Sequence, residues 1–181
     1  MSFFTRAATT ALTGLAIFGF ASAAFAQPSS HEDHVALANS ISAAGVRLYV
    51  NPVQCDETKA LGWYQGMGPV MVICQENREV AGEQVEWTEE DYDTLRHEAQ
   101  HLIQDCKDGR IDHKLQPFIE ETIEWSEGIL GIDVLREIYQ QYSAAGAPDE
   151  VILLEFEAFA TAAMNRPDYQ AKAVATFCGV K

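Results

Sequence analysis

Trp87-Thr88-Glu89-Glu90-Asp91-Tyr92-Asp93-Thr94-Leu95-Arg96-His97-Glu98-Ala99-Gln100-His101-Leu102-Ile103-Gln104-Asp105-Cys106-Lys107 carries both the start signals of a helix and an unusual polar face. Thr88 suits the N-cap, Glu89, Glu90 and Asp91 put negative charge in the first turn, and Trp87 with Tyr92 occupies the N′ and N4 positions of a hydrophobic staple. Leu95, Ala99, Leu102 and Cys106 form an apolar stripe at helical spacing, and Gly109 follows as a stop signal. The segment is therefore expected to be a helix with one buried face.

His97 and His101 are four residues apart beside that stripe, so on a helix their imidazoles lie one above the other. That spacing lets two nitrogens converge on one ion, and zinc suits it. Glu98 is rotated by about 100° from His97. It is free to act as general base on a water activated by the metal rather than as a ligand, which is the logic of His-Glu-x-x-His.

The second decisive stretch is Val151 to Met164, apolar almost all round and so a core helix, yet interrupted by Glu155 and Glu157. The helical neighbours of Glu155 are Val151, Ile152, Ala158 and Phe159, and those of Glu157 are Leu153, Leu154, Ala160 and Thr161. A buried carboxylate without a partner costs several kcal/mol, and a bound cation offsets that cost. Either glutamate is thus a candidate third ligand on these grounds.

His97-Glu98-x-x-His101, followed by Glu155-x-x-Ala158 on a later helix, resembles the gluzincin group of zinc metallopeptidases. The resemblance covers roughly Thr88 to Cys106 and Leu154 to Ala162. It implies a zincin-like fold, Zn2+ held by His97, His101 and Glu155, Glu98 as the base, and a peptide or protein substrate. Phe159 stands where that group usually has an acidic or amide residue orienting a ligand histidine. The departure keeps Glu157, with Thr161 four residues on, as the alternative ligand. Tyr139, Tyr142 and His113 are candidate donors to a developing oxyanion, and Gln104 is expected either to line the same face or to be solvated.

Outward from these two helices, the chain is expected to be α+β and mainly helical. Residues Ser29 to Ala44 read as a short helix, with His31 and His34 near its exposed start and solvated. Val46 to Val50, Leu61 to Tyr64 and Val70 to Ile73 read as strands of a small antiparallel sheet ahead of the motif helix. Val70 to Cys74 is expected near the site, either as an edge strand that a peptide could extend or as a buried structural strand. Gln75 to Glu86 reads as a polar surface loop. Beyond the motif helix, Pro117 to Leu130, Ile132 to Tyr142 and the helix opened by Pro148 at N1 form a C-terminal helical subdomain.

Residues 1–26 read as a signal peptide, with Arg6 in the n-region, an apolar run from Ala11 to Phe20 and the cleavage site Ala24-Phe25-Ala26. Residues 27–181 then form a single domain, periplasmic or secreted, with no stable membrane association once the leader is removed. Four cysteines in an exported chain argue for two disulfides, and the expected pairs are Cys55 with Cys74 and Cys106 with Cys178. The rival reading, a cysteine metal site, has no Cys-x-x-Cys pair behind it. A net charge of -15 disfavours nucleic acid and anionic membrane as partners, since both repel such a surface. The function expected is an exported zinc metallopeptidase; the alternative is a secreted, non-catalytic binding protein with a structural or vestigial zinc site.

Overall fold

The computed structural model describes residues 30–179, and the expected signal peptide lies outside the described residues. The chain runs α1 (His31–Ala43), β1 (Arg47–Val50), a 3-10 turn (Val53–Asp56), β2 (Gly62–Gln65), β3 (Val70–Ile73), α2 (Glu89–Asp105), α3 (Thr122–Leu130), α4 (Ile132–Ala144), α5 (Asp149–Ala163) and α6 (Pro167–Phe177). The class is α+β and mainly helical. The sheet, however, is mixed rather than antiparallel: its order is β1-β3-β2, with β2 antiparallel and β1 parallel to β3. Asn51, at φ 54°, turns the chain out of β1, and the 3-10 turn carries it across before it returns as β2. The return leg that lets β3 run parallel to β1 is β2 itself, antiparallel to both.

Helix α2 starts as its sequence dictates. Thr88 caps it by accepting from the Asp91 amide while Asp91 reaches back to the Thr88 amide, a reciprocal box worth about 1 kcal/mol. Trp87 and Tyr92 stack with centroids 5.4 Å apart. Leu95, Ala99 and Leu102 then bury completely or nearly so against Leu37 and Ile41 of α1, Met71 and Ile73 of β3, and Val174 of α6. A second apolar cluster joins Leu135, Ile138 and Tyr142 of α4 to Ile152 and Phe156 of α5.

Every residue of α2 from Thr94 to Asp105 is buried, including Arg96, His97, Glu98, Gln100, His101, Gln104 and Asp105. Burying so many polar groups is tolerable only if each finds a partner. Arg96 donates from Nε to the Ala162 carbonyl at 3.0 Å and from Nη2 to Asp93 at 2.9 Å. Asp105 accepts from the Tyr64 hydroxyl at 2.7 Å and from the amides of Asp112 and Lys114, which folds the segment after α2 back onto the helix. Gln104 Nε2 donates to the Leu154 carbonyl at 3.0 Å. Since Arg96 meets Ala162 and Gln104 meets Leu154, α2 and α5 run antiparallel.

Several local expectations change. His34 is not solvated: it is 2% exposed, donates from Nδ1 to the Ser30 carbonyl, and accepts from Arg96 Nη1 at 2.7 Å. An arginine can only donate, so His34 Nε2 must be unprotonated. Gln75, at the start of the expected surface loop, is fully buried and ties Asn51 to Asp91, pinning that loop at its root. Helix α3 begins at Thr122 rather than Pro117, because the Ile119 amide is donated to Glu157 on α5 instead of into a helical turn. Pro148 is the N-cap of α5, with extended backbone, rather than its first residue. Both disulfides, Cys55–Cys74 and Cys106–Cys178, are present; the second joins the C-caps of α2 and α6. Among the described residues no helix is long and apolar enough to cross a membrane.

The His34 arrangement has a pH signature. Burial lowers its pKa below 6.5 and the Arg96 charge adds to that, outweighing the pull of the Ser30 carbonyl. A folded-state value below the unfolded one means that the unfolded chain binds the extra proton, so stability present above pH about 6.5 is lost as the pH falls through and below it. His34→Gln keeps an acceptor for Arg96 without titrating. Thermal melts between pH 8 and pH 5 are expected to fall more steeply for the native chain than for His34→Gln; parallel curves would contradict the assignment.

Candidate metal centre

Helix α2 presents His97 and His101 toward α5, where Glu155 stands opposite them. The two Nε2 atoms are 3.2 Å apart, His97 Nε2 is 3.2 Å from Glu155 Oε2, and His101 Nε2 is 3.5 Å from Glu155 Oε1. All three residues are buried, and their ligand atoms form the one such group among the described residues that could hold a metal ion. Glu157 lies outside it. Its carboxylate is fully buried and accepts from Gln100 Nε2 at 2.6 Å, Gln104 Nε2 at 3.2 Å and the Ile119 amide at 2.9 Å. Two carboxylates that the sequence leaves equivalent are thus separated by their partners: Glu157 faces donors, Glu155 faces the imidazoles.

The electrostatics follow from this crowding. Burial acts against a charged ring at His101, but Glu155 outweighs it and pushes the imidazole up to about 9. Burial would likewise raise the Glu155 carboxyl, yet His101 and His97 hold it well below the usual carboxylate range. Without a metal, the cluster therefore favours a protonated imidazole beside a carboxylate, and a dication would replace that proton.

Glu98 is 6% exposed, and burial raises its carboxyl against the opposing pull of His97 and His101. The Tyr64 backbone in β2 adds a smaller pull in the same direction as the imidazoles, and β2 comes close against this side chain. That contact needs Gly62: a Cβ there would stand 2.6 Å from Thr94 Cγ2, 2.8 Å from the Val72 carbonyl and 3.2 Å from Glu98 Cγ. The strand beside the motif helix at the sheet edge is accordingly β2, and of the two readings of Val70 to Cys74 the structure has the buried one, since β3 is central.

Of the three candidate donors, Tyr142 reaches the cluster. Its hydroxyl donates to Glu155 Oε2 at 2.8 Å, and burial followed by the Glu155 charge raises its pKa far above a free phenol's. Tyr139 is about half exposed on α4, and His113 lies beside Gly66 in the segment after α2. Phe159 meets the His97 ring edge-on with centroids 4.5 Å apart, and His97 Nδ1 has no hydrogen-bond partner among the described residues. His101 Nδ1, in contrast, is 2.8 Å from Gln104 Oε1. Gln104, Glu157 and Tyr142, all three singled out in the sequence, thus stand at the site in other roles than expected, as hydrogen-bond partners around the cluster rather than as third ligand or oxyanion donor. The i, i+3 spacing of His101 and Gln104 is the one local hint.

Compared with protein-family models, with curated proteins and with solved structures, the chain matches none. What fold and site define together is an α+β, mainly helical protein with two disulfides and a buried His-His-Glu group able to hold a metal ion.

Proposed function

We propose that the protein is an exported zinc-dependent metallopeptidase of the kind the gluzincin resemblance implies, with His97, His101 and Glu155 as ligands and Glu98 as general base. One observation carries the reading. The two imidazole Nε2 atoms are 3.2 Å apart and each meets a Glu155 carboxylate oxygen, His97 at 3.2 Å from Oε2 and His101 at 3.5 Å from Oε1, spacings close to the edges of about 3.3–3.4 Å of a tetrahedron around zinc with bonds of about 2.0–2.1 Å. Three protein ligands leave a fourth position for solvent, the pattern of catalytic rather than closed structural zinc. Two disulfides support an oxidising, extracytoplasmic location, periplasmic or secreted.

When bound there, zinc supplies Lewis-acid polarisation of the scissile carbonyl and lowers the pKa of water toward about 7. Glu98 accepts the proton of that attacking water on its carboxylate and delivers it to the leaving amine. Gly62 of β2 packs against the Glu98 side chain and confines it beside the two histidines. Tyr142 fixes the rotation of Glu155 through its hydroxyl.

The alternative, a non-catalytic binding protein with a structural or vestigial zinc site, draws support from Phe159 in place of a polar partner for His97 and from the Tyr142 hydroxyl being engaged with Glu155. A peptide-library cleavage screen separates the two. Cleavage that disappears with a chelator and returns with stoichiometric zinc is expected; zinc binding without cleavage would favour the alternative.

A further inference from the structure

The partners of Gln104 determine which way its amide points. Its Nε2 lies 3.0 Å from the Leu154 carbonyl and 3.2 Å from Glu157 Oε1, and both of those atoms accept. Glu157 itself is committed to accepting, because Gln100 Nε2 and the Ile119 amide also donate to it. The Gln104 oxygen must therefore face His101, 2.8 Å away, and His101 must donate from Nδ1. An imidazole with its proton on Nδ1 keeps the Nε2 lone pair for a ligand, and Nε2 is the atom that meets His97 and Glu155.

We infer that Glu157 and Gln104 form a positioning relay for the metal site: Glu157 fixes the amide of Gln104, and Gln104 fixes the tautomer and rotation of His101. The inference rests on the metal reading above and deepens it. It also accounts for a fully buried carboxylate that ligates nothing, and for a polar residue at position 104 on a helix face turned to the interior. His97 has no equivalent, since Phe159 occupies the space beside its ring. The orientation that a metal-ligating histidine ordinarily takes from an outer hydrogen bond is thus concentrated on His101.

Zinc affinity, measured by competition with a chromophoric chelator, tests this in three proteins: the native chain, Gln104→Met, and the exchange Gln104→Glu with Glu157→Gln. The methionine fills the space but accepts nothing useful from Nδ1. In the exchange, the carboxylate at 104 again accepts from His101 Nδ1 and from the amide nitrogen at 157, whose oxygen still accepts from the Ile119 amide, while Gln100 must turn its own amide oxygen toward 157 and the Leu154 carbonyl loses its side-chain donor. Gln104→Met is expected to bind zinc about 10–100-fold more weakly, the range for loss of such an outer partner. The exchange restores the acceptor for His101 and is expected to bind zinc at least about fivefold more tightly than Gln104→Met. In the zinc-loaded, 15N-labelled native protein the His101 Nδ1 proton is expected as a hydrogen-bonded, exchange-protected resonance that Gln104→Met loses. Native affinity in Gln104→Met, or an exchange that binds as weakly as Gln104→Met, overturns the relay and leaves the metal site standing. A native chain that takes up no zinc overturns both. If Gln104→Met does not fold, the native resonance decides: a hydrogen-bonded, exchange-protected proton on His101 Nδ1 supports the relay, and its absence from the zinc-loaded native protein overturns it.

Discussion

Replacing Glu98 by glutamine is expected to leave zinc binding and folding intact while lowering peptide hydrolysis by about 10²–10⁴-fold, the span a positioned general base contributes. The substitution is nearly isosteric, so the tight approach of Gly62 to Glu98 Cγ is preserved. At this buried position a neutral amide costs less to bury than the carboxylate it replaces. Only the capacity to take up a proton is lost. Casein or a peptide library, turned over by equal amounts of the two zinc-loaded proteins, gives the comparison. Equal activity in the two forms, or none in either, would count against the peptidase reading.

Glu155→Gln is expected to abolish tight zinc binding, with a loss of more than about 100-fold, exceeding the range for outer partners. Glutamine keeps the volume of Glu155 and retains an oxygen for the Tyr142 hydroxyl, which would otherwise be left buried without an acceptor at a cost of about 1–3 kcal/mol. What disappears is the charge. A neutral amide oxygen is a poor third donor for a dication, and the two imidazoles alone leave the ion with half its tetrahedral set. Chelator competition on the folded variant checks this, and native affinity there would remove Glu155 from the site.

Much of the fold is legible in the sequence, for identifiable reasons. The capping box, the staple and the apolar stripe of α2 are local features, so Thr88, Trp87, Tyr92, Leu95 and Leu102 announce the helix by spacing alone. The same holds for the core helix α5. The orientation of the sheet is not legible, because the parallel pairing of β1 with β3 depends on the path taken between strands and not on their alternation. The choice between Glu155 and Glu157 is equally hidden. It is made by Ile119, Gln100 and Gln104 on other elements, 38 to 57 residues away. His34 departs from expectation for the same reason: its place on α1 looks exposed until Arg96, 62 residues on, is set against it. Helix α6, whose Val174 enters the core and whose C-cap Cys178 bridges to Cys106, is absent from the elements expected above, although Pro167 opens it and Ala171, Ala173 and Ala175 favour a helix.

Site and function alike depend on one dication sitting between α2 and α5 on two imidazoles and a carboxylate. Anomalous scattering at the zinc edge, from crystals of the zinc-loaded protein, tests this directly. A single strong peak is predicted within bonding distance of His97 Nε2, His101 Nε2 and a Glu155 carboxylate oxygen. A peak at any other residues, or no peak with those three side chains still in contact, would contradict it.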